Sequence, residues 1–452
     1  MVINAPFLYL ALSFLLSYAL SAAFEKRGRL FAVLLILGSL AAHLSVALWL
    51  QTAPASDFET LLGLSRLLNS GDFAALNGSP YFTRWAYQSA FVIYQALILR
   101  AFPGEITPLL VMNAVFMTGI KALIYAILRC GYGRKTAVFV TLAYCFYPAP
   151  YFLASVLTNQ HISLFFTLLG VWVFLRKQNA GSGAAGGALL ALGNALRPDA
   201  GIVTVSLLAV GLLSVRRKGG WRAALSPAAA AGCCALVGML LSALVAFSGV
   251  NPNGLKNSDP LWKFVVGLNA ETGGGYSSEL AAKVFGVEDA EERHTLQRQI
   301  IGEHLSAGPA PLLGFLAGKA QTAWRAAEGT HWAVAGQEDR IVPVVNRRLE
   351  NVVNMLKRAE RPHFWLTSSL AAVTAVLLWR KKEADPFLLL SGAVVALFFA
   401  VHLLIEFQPR YRYFVTPFLF FLSGTGYQAV SGAAAAALRR IRRPRKPIVL
   451  ES

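Results

Sequence analysis

The sequence has little charge, and it has little cysteine. Charged residues make up 14% of the 452 residues, against about 25% in a soluble domain. With 56% hydrophobic residues and a mean hydropathy of +0.53, this scarcity excludes an ordinary water-soluble domain and predicts a multi-span membrane protein. The cysteines have no spacing typical of a disulfide framework or a metal knuckle. They are Cys130, Cys145, Cys233 and Cys234.

Familiar catalytic motifs are also missing from the sequence. It contains no P-loop, no Rossmann glycine motif, no His-Glu-x-x-His motif and no nucleophile elbow. A net charge of +18 is a feature of many nucleic-acid-binding proteins, but about half of the Lys and Arg residues stand in short clusters beside apolar stretches. That placement is typical of topology signals on the cytoplasmic side of a membrane. We therefore predict a membrane protein that has no nucleic-acid partner.

The apolar stretches predict an all-α polytopic protein with about eleven transmembrane helices. The first stretch has no basic segment before it and no small-residue cleavage site, so it is interpreted as a retained span and not as a signal peptide. Eleven spans place every basic cluster inside and both long polar loops outside, which predicts a multi-pass plasma-membrane protein with an extracytoplasmic site. The predicted spans cover residues 7–24, 30–50, 108–128, 136–155, 162–175, 184–196, 200–215, 223–247, 364–379, 387–405 and 414–438.

The loops divide the chain into four parts. Residues 1–247 form an N-terminal transmembrane module, whose first outer loop, 51–107, contains a short apolar stretch predicted to be an outer juxtamembrane helix, 89–102. One large outer loop, 248–363, is predicted to be helical at 288–305 and 340–360. The remaining two parts are the C-terminal transmembrane helices, 364–438, and a basic cytoplasmic tail, 439–452.

The first outer loop contains a carboxylate pair between two spans, Asp57 and Glu59. Ser56 and Glu59 match the capping-box pattern Ser-x-x-Glu ahead of an apolar helix, so Asp57 can be interpreted as a first-turn acid that favours the helix dipole. A carboxylate between membrane spans can instead be interpreted as serving a water-filled cavity or a substrate. Both interpretations stay open at this point.

Other polar residues gather at the outer ends of the predicted spans, where ionisable groups are usually functional or snorkelling. Arg410 and Arg412 can snorkel or contact a phosphate, His161 can cap a span or bind a ligand, and Arg197 can pair locally. Together the set suits one chemistry, in which a carboxylate takes a proton from an acceptor hydroxyl and cations hold a departing phosphate. With Asp57 as the catalytic residue, the predicted substrate-binding residues are Glu59, Arg84, Gln88, Asn159, Gln160, His161, Arg197, Lys263, Asn269, Glu271, Tyr276, Arg410, Tyr411 and Arg412.

Several short tracts resemble a known family in their order along the chain. The sequence is similar to polytopic glycosyltransferases of the GT-C fold, and in particular to the bacterial dolichyl-phosphate-mannose-protein mannosyltransferase-like group (family 39). Each motif alone is short, and the resemblance spans most of the chain. The tracts are Ser56-Asp57-Phe58, Leu157-Thr158-Asn159-Gln160-His161, Leu196-Arg197-Pro198-Asp199, Lys263 to Asn269 and Gln408 to Tyr413.

The resemblance implies a GT-C-like fold, a polyprenyl-phosphate sugar donor, transfer on the outer face and Asp57 as the catalytic carboxylate. Gln160 stands where many relatives have Glu, so no metal ligand is assigned, no cofactor is named and a divalent metal stays open. The large soluble C-terminal domain of some relatives is not expected. The acceptor is a glycan, a lipid or a protein. The alternative functions are a transporter or flippase of lipid-linked sugars, and a surface-glycan polymerase or ligase.

Overall fold

A computed structural model describes residues 5–50, 52–218, 220–325, 333, 347–380 and 385–442, and every regular element among them is helical. The predicted all-α class is therefore confirmed for this part of the chain. Three short 3₁₀ turns occur at Ala86–Gln88, Trp221–Ala224 and Pro409–Tyr411. The α-helices are α1 (Ala5–Ala23), α2 (Gly28–Leu50), α3 (Asp57–Ser70), α4 (Phe73–Asn77), α5 (Pro80–Arg84), α6 (Ser89–Ala101), α7 (Thr107–Gly131), α8 (Arg134–Cys145), α9 (Ala149–Leu153), α10 (Gln160–Lys177), α11 (Ala180–Leu196), α12 (Ala200–Lys218), α13 (Leu225–Phe247), α14 (Trp262–Gly267), α15 (Ser278–Phe285), α16 (Ala290–Leu305), α17 (Pro309–Arg325), α18 (Arg347–Arg380), α19 (Pro386–Leu404) and α20 (Arg412–Arg442).

Six stretches of helix in the described part of the chain are long and apolar enough to cross a membrane. They are α1, α2, α7, α13 with its preceding 3₁₀ turn, most of α18, and α19. Helices also occupy the other five predicted spans, namely α8 with α9, α10, α11, α12 and α20, but these do not meet both criteria. The number of eleven spans and their orientation therefore stay predictions.

The fourth predicted span, 136–155, is wrong as a single helix. It is divided into α8, which ends at Cys145, and α9, which begins at Ala149. Pro148 lies in the break and Pro150 follows it; proline has no backbone N–H, and it disfavours helical backbone in the preceding residue. The Tyr151 hydroxyl donates a hydrogen bond of 2.7 Å to the Cys145 carbonyl and so satisfies one carbonyl that the break exposes.

Small residues let the central helices approach closely, as expected for helix packing in lipid. A Cβ atom added to Gly187 of α11 would lie 2.1 Å from the Ala230 carbonyl oxygen of α13. On the other side of α11, a Cβ atom at Gly186 would lie 2.8 Å from the Gly170 carbonyl oxygen of α10. Both distances are far shorter than a Cβ contact permits, so a larger residue at either glycine would push the helices apart.

The first outer loop forms a small helical layer. Its juxtamembrane segment is confirmed as a helix, α6, which packs against α3. The Ser65 hydroxyl donates to Gln95 Oε1 at 3.0 Å, and Asn69 Nδ2 donates to the Ala96 carbonyl at 2.9 Å. The position of α6 in the membrane interface stays a prediction.

The large outer loop also contains helices, as predicted. The expectation for 288–305 is confirmed by α16, and that for 340–360 by the first part of α18, although residues 340–346 lie outside the described residues. Residues 443–452 of the basic tail lie outside them as well. Arg84 joins the first loop to the large loop. Its Nε lies 3.3 Å from Asp259 of the large loop, a buried carboxylate that also accepts a hydrogen bond of 2.7 Å from Arg293 Nε.

Candidate active site

Four polar turns meet around Asn159, at the start of α10. Asn159 Nδ2 donates to Gln88 Oε1 at 3.1 Å and to the Leu196 carbonyl at 2.9 Å, which joins the first outer loop to the turn between α11 and α12. The next residue, Gln160, donates through Nε2 to the Arg410 carbonyl at 2.9 Å. These two buried side-chain amides therefore hold together turns that are far apart in sequence.

Asp57 lies near two tyrosines of the first loop, Tyr81 and Tyr87. Burial raises the pKa of Tyr81 well above its usual value, and the nearby charge of Asp57 raises it further. Burial also raises the pKa of Tyr87, on which Lys263 and Arg197 act in the opposite direction and Asp57 in the same direction. Asp57 is exposed, so a carboxylate that solvent and substrate can reach lies beside a buried polar cluster.

Arg197 is the first cation of the cluster. Its Nε donates to the Asp199 carboxylate, its Nη1 lies 3.5 Å from Asn159 Oδ1, and its guanidinium lies 4.7 Å from the centre of the Tyr411 ring. The local ion pair that the sequence left open is therefore formed. Asp199 fixes the direction of the guanidinium but uses only part of its five N–H donors.

Arg410 is the second cation. Its guanidinium carbon lies 4.9 Å from the centre of the Phe58 ring and 5.8 Å from that of Tyr411. Because Phe58 directly follows Asp57, this contact places Arg410 against the helix that begins with the candidate base. The side chain is 7% exposed, so its charge acts in a poorly solvated setting.

Lys263 is the third cation and comes from α14. Its ammonium pairs with the Glu406 carboxylate, and the Glu406 backbone N–H donates to the Lys263 carbonyl at 2.8 Å. Burial raises the pKa of Glu406, but the charge of Lys263 outweighs this effect and holds the pKa below its usual value. Gln408 Nε2 donates to the other oxygen of Glu406 at 3.0 Å, so both carboxylate oxygens are engaged.

Other predicted site residues lie in different settings. Arg84 forms the ion pair with Asp259 described above, and its guanidinium stacks 3.7 Å from the centre of the Phe285 ring. Arg412 donates through Nη1 to the Trp324 carbonyl at 2.8 Å and lies over the Phe364 ring. No described contact joins either arginine to Asp57.

The remaining predicted residues form a structural group and an exposed group. His161 is buried, with Nδ1 3.0 Å from the Tyr413 hydroxyl and Nε2 2.9 Å from the Leu153 carbonyl, so both ring nitrogens are used in packing the helix. Asn269 Oδ1 accepts from the Glu271 backbone N–H at 3.1 Å and shapes a turn. Glu271 and Tyr276 are exposed. These four side chains are not drawn into the cluster by any described contact.

Sequence reasoning did not assign Tyr81, Tyr87, Glu406 and Gln408 to the site, and it considered Asp199 only as a local ion-pair partner of Arg197. Tyrosines in an aromatic-rich tract resemble ordinary packing residues, so Tyr81 and Tyr87 gave no separate signal. Glu406 did give a signal in the sequence, because carboxylates are scarce in this chain and this one directly follows an apolar stretch. Among the described residues, no three His, Cys, Asp or Glu side chains are grouped as metal ligands.

Comparison with known proteins shows a likeness to solved structures. No protein-family profile and no curated protein matches the chain. Among solved structures, the chain is similar to the archaeal oligosaccharyltransferase AglB from Archaeoglobus fulgidus, in complex with an inhibitory peptide and a dolichol-phosphate, with a TM-score of 0.49 and 13% identity. The match covers 94% of this chain and 53% of that one, so this chain spans about half the length of AglB. A likeness this distant assigns no function, and the resemblance to GT-C glycosyltransferases stays a prediction.

The backbone directly before Asp57 is strained. Ser56 has φ 55° and ψ −131°, a conformation that favours glycine, and the Phe58 N–H donates to the Ala55 carbonyl at 3.2 Å to close a tight turn. The predicted capping box is wrong, since the Ser56 side chain forms no cap hydrogen bond. Among the described residues, the Glu59 carboxylate makes no ion pair or hydrogen bond. Strain of this kind clusters at functional sites, which favours the functional interpretation of Asp57.

The strain at Ser56 leads to a matched pair of substitutions. Ser56→Val should lower the free energy of unfolding by about 1–3 kcal/mol, because a β-branched residue is disfavoured at positive φ. Ser56→Gly should keep the turn and leave stability within about 1 kcal/mol of wild type. Thermal or denaturant unfolding in detergent measures both. Equal stability of the two variants would contradict the positive φ.

Proposed function

We propose that the protein is a membrane glycosyltransferase that moves a sugar from a polyprenyl-phosphate donor to an acceptor hydroxyl on the outer face of the plasma membrane. The observation that carries this proposal is that one exposed carboxylate, Asp57, and two oriented cations, Arg197 and Lys263, all lie close enough to Tyr87 to act on it, while Arg410 lies over Phe58. A carboxylate next to cations at the end of apolar helices suits a reaction that releases a lipid phosphate.

Asp57 is the general base in this proposal. The acceptor hydroxyl loses its proton to the Asp57 carboxylate as its oxygen bonds to the anomeric carbon of the sugar. The bond between that carbon and the phosphate oxygen breaks at the same time, and its electron pair stays on the phosphate. Attack from the side opposite the phosphate inverts the anomeric carbon.

The cations stabilise the leaving phosphate, which needs no general acid. Asp199 and Glu406 each hold one cation, Arg197 and Lys263, in place, so little reorganisation is needed as charge develops. Arg410 adds a planar donor group suited to phosphate. Arg412 is left out of this set because its described contacts are with Trp324 and Phe364.

An apolar groove supports a lipid-linked donor over a soluble one. A cavity of about 500 Å³ between α11, α12 and α13 is lined by small and apolar residues such as Ala235, Gly238 and Met239. Its lining also includes Tyr87 and Pro198, which border the cationic cluster. Met239 and Val205 are exposed on the helix surface, so the groove is open to the side. A ligand with an apolar chain and an anionic head matches an apolar groove that leads to a cationic cluster.

A donor panel tests the proposal. Purified protein should transfer radiolabelled sugar from at least one polyprenyl-phosphate sugar to an added acceptor, and should not use the matching nucleotide sugar. A flippase for lipid-linked sugars would need the cations but no base, so it would move the donor across proteoliposomes without breaking the sugar–phosphate bond. Donor binding without sugar release across the panel would contradict the transferase proposal and favour the flippase.

A further inference from the structure

Lys319 of α17 is a buried cation held by three carbonyl groups. Its ammonium nitrogen lies 2.6 Å from the Gly267 carbonyl oxygen, 2.7 Å from that of Ile405 and 3.0 Å from that of Leu403. The residue is 4% exposed. An ammonium group has three N–H donors and no acceptor, so each donor has one carbonyl.

These carbonyls belong to the two segments that carry the Lys263–Glu406 pair. Gly267 ends α14, the helix that contains Lys263. Leu403 lies in the last turn of α19, and Ile405 follows that helix directly before Glu406. A Cβ atom at Gly274 would lie 2.6 Å from Lys319 Cε, so the lysine stem passes where only glycine leaves room. Phe407 N–H donates to the Gly274 carbonyl at 3.3 Å. The Lys319 ammonium therefore bridges the segment that carries Lys263 and the segment that carries Glu406.

We propose that Lys319 is a positioning residue for the phosphate-binding cations, and that its protonated form sets the geometry of the Lys263–Glu406 pair. The inference rests on the proposed function, because it concerns the same donor phosphate. Lys319 does not touch the phosphate itself. It acts through the backbone that places Lys263, in the way that outer-shell groups orient the residues that contact a ligand.

Protonation of Lys319 follows from its setting. Burial lowers its pKa from 10.5 to about 8, and the charge of Glu406 opposes that shift. Among the described residues, His402 of α19 also lies near it, and the Phe315 ring lies 6.0 Å away on its own helix. A neutral amine has two N–H donors, so deprotonation leaves one of the three carbonyls without a donor and the junction loosens.

Through Lys319, a rise in pH should increase the stability of the folded protein and weaken its binding of the donor phosphate. Because the pKa is lower in the folded chain than in the unfolded chain, the unfolded chain binds more protons between pH 8 and 10.5. The contribution of Lys319 to stability therefore rises with pH across that window. Donor binding falls across the same window because the junction loosens. A role in stability alone would not produce this divergence.

The test measures binding of polyprenyl phosphate to the full-length protein in nanodiscs at pH 7 and pH 9.5, together with the melting temperature. Wild type should bind roughly tenfold more weakly at pH 9.5. Lys319→Met should bind weakly at both pH values, and its stability should increase less with pH than that of wild type. Lys283→Met, an exposed lysine of the same outer region, is the control and should behave as wild type.

The outcomes separate this inference from the proposed function. If wild type does not bind polyprenyl phosphate at pH 7, the proposed function and this inference both fall. If wild type binds and Lys319→Met binds equally well, only the role of Lys319 is overturned. If Lys319→Met does not fold, the wild-type profile decides, since binding that does not change between pH 7 and pH 9.5 overturns the inference.

Discussion

We expect Asp57→Asn to lower turnover of the polyprenyl-phosphate sugar by roughly 10²–10⁴-fold with little change in donor binding or melting temperature. The amide keeps the shape of the side chain, but it cannot accept the acceptor's proton. Single-turnover kinetics with purified protein measures the chemical step directly. The phosphate-binding cations are untouched in this variant, so the loss should be in kcat and not in the donor affinity.

Glu59→Gln is the matched control for Asp57→Asn. Both substitutions remove one exposed carboxylate from the same turn of α3. The capping box that would have occupied Glu59 is not formed, and Asp57 differs from Glu59 in lying near Tyr81 and Tyr87. Glu59→Gln should keep turnover within about threefold of wild type, since a surface change away from the reacting atoms has a small effect. Wild-type turnover in Asp57→Asn would place the base elsewhere.

Periodicity and charge placement predict most of the helices and say little about their ends. Each of the eleven stretches chosen by apolar length is occupied by helix in the described residues, because a long apolar helix has a strong compositional signal. Apolar length missed the division of residues 136–155, where Pro148 breaks a stretch that is apolar throughout. It also missed the strained turn at Ser56, because the Ser-x-x-Glu pattern predicts a cap from side-chain chemistry alone, whereas the backbone closes a tight turn.

The candidate site was predictable by residue type more than by geometry. Polar residues at outer span ends included Asn159, Arg197, Lys263 and Arg410, and these do converge. Sequence position cannot say which way a side chain at a helix start points, so Arg84 was grouped with the site although it pairs with Asp259. Residue spacing also cannot predict the carboxylates that orient the cations. Lys263 and Glu406, for example, lie in different segments and meet only in the folded chain.

The second large effect concerns the two arginines of the last outer turn, which the sequence treats as equivalent phosphate ligands. We expect Arg410→Ala to lower kcat/KM for the donor by roughly 10²–10³-fold, the usual cost of removing one group that stabilises developing negative charge. Its guanidinium lies over Phe58, the residue after the candidate base. Arg410→Lys should recover only part of this loss, because lysine keeps the charge but loses the planar donor geometry and the ring contact.

Arg412→Ala should act in a different way. Arg412 is 1% exposed and donates to the Trp324 carbonyl, so its loss removes packing and leaves a buried carbonyl without that donor. We expect a lower melting temperature, with donor affinity per folded molecule close to wild type. Arg66→Ala, an exposed arginine of α3, controls for net charge and should change neither quantity. Measuring donor Kd and melting temperature on the three alanine variants separates the two roles, and equal loss of donor affinity in Arg410→Ala and Arg412→Ala would restore the sequence prediction that both arginines hold the phosphate.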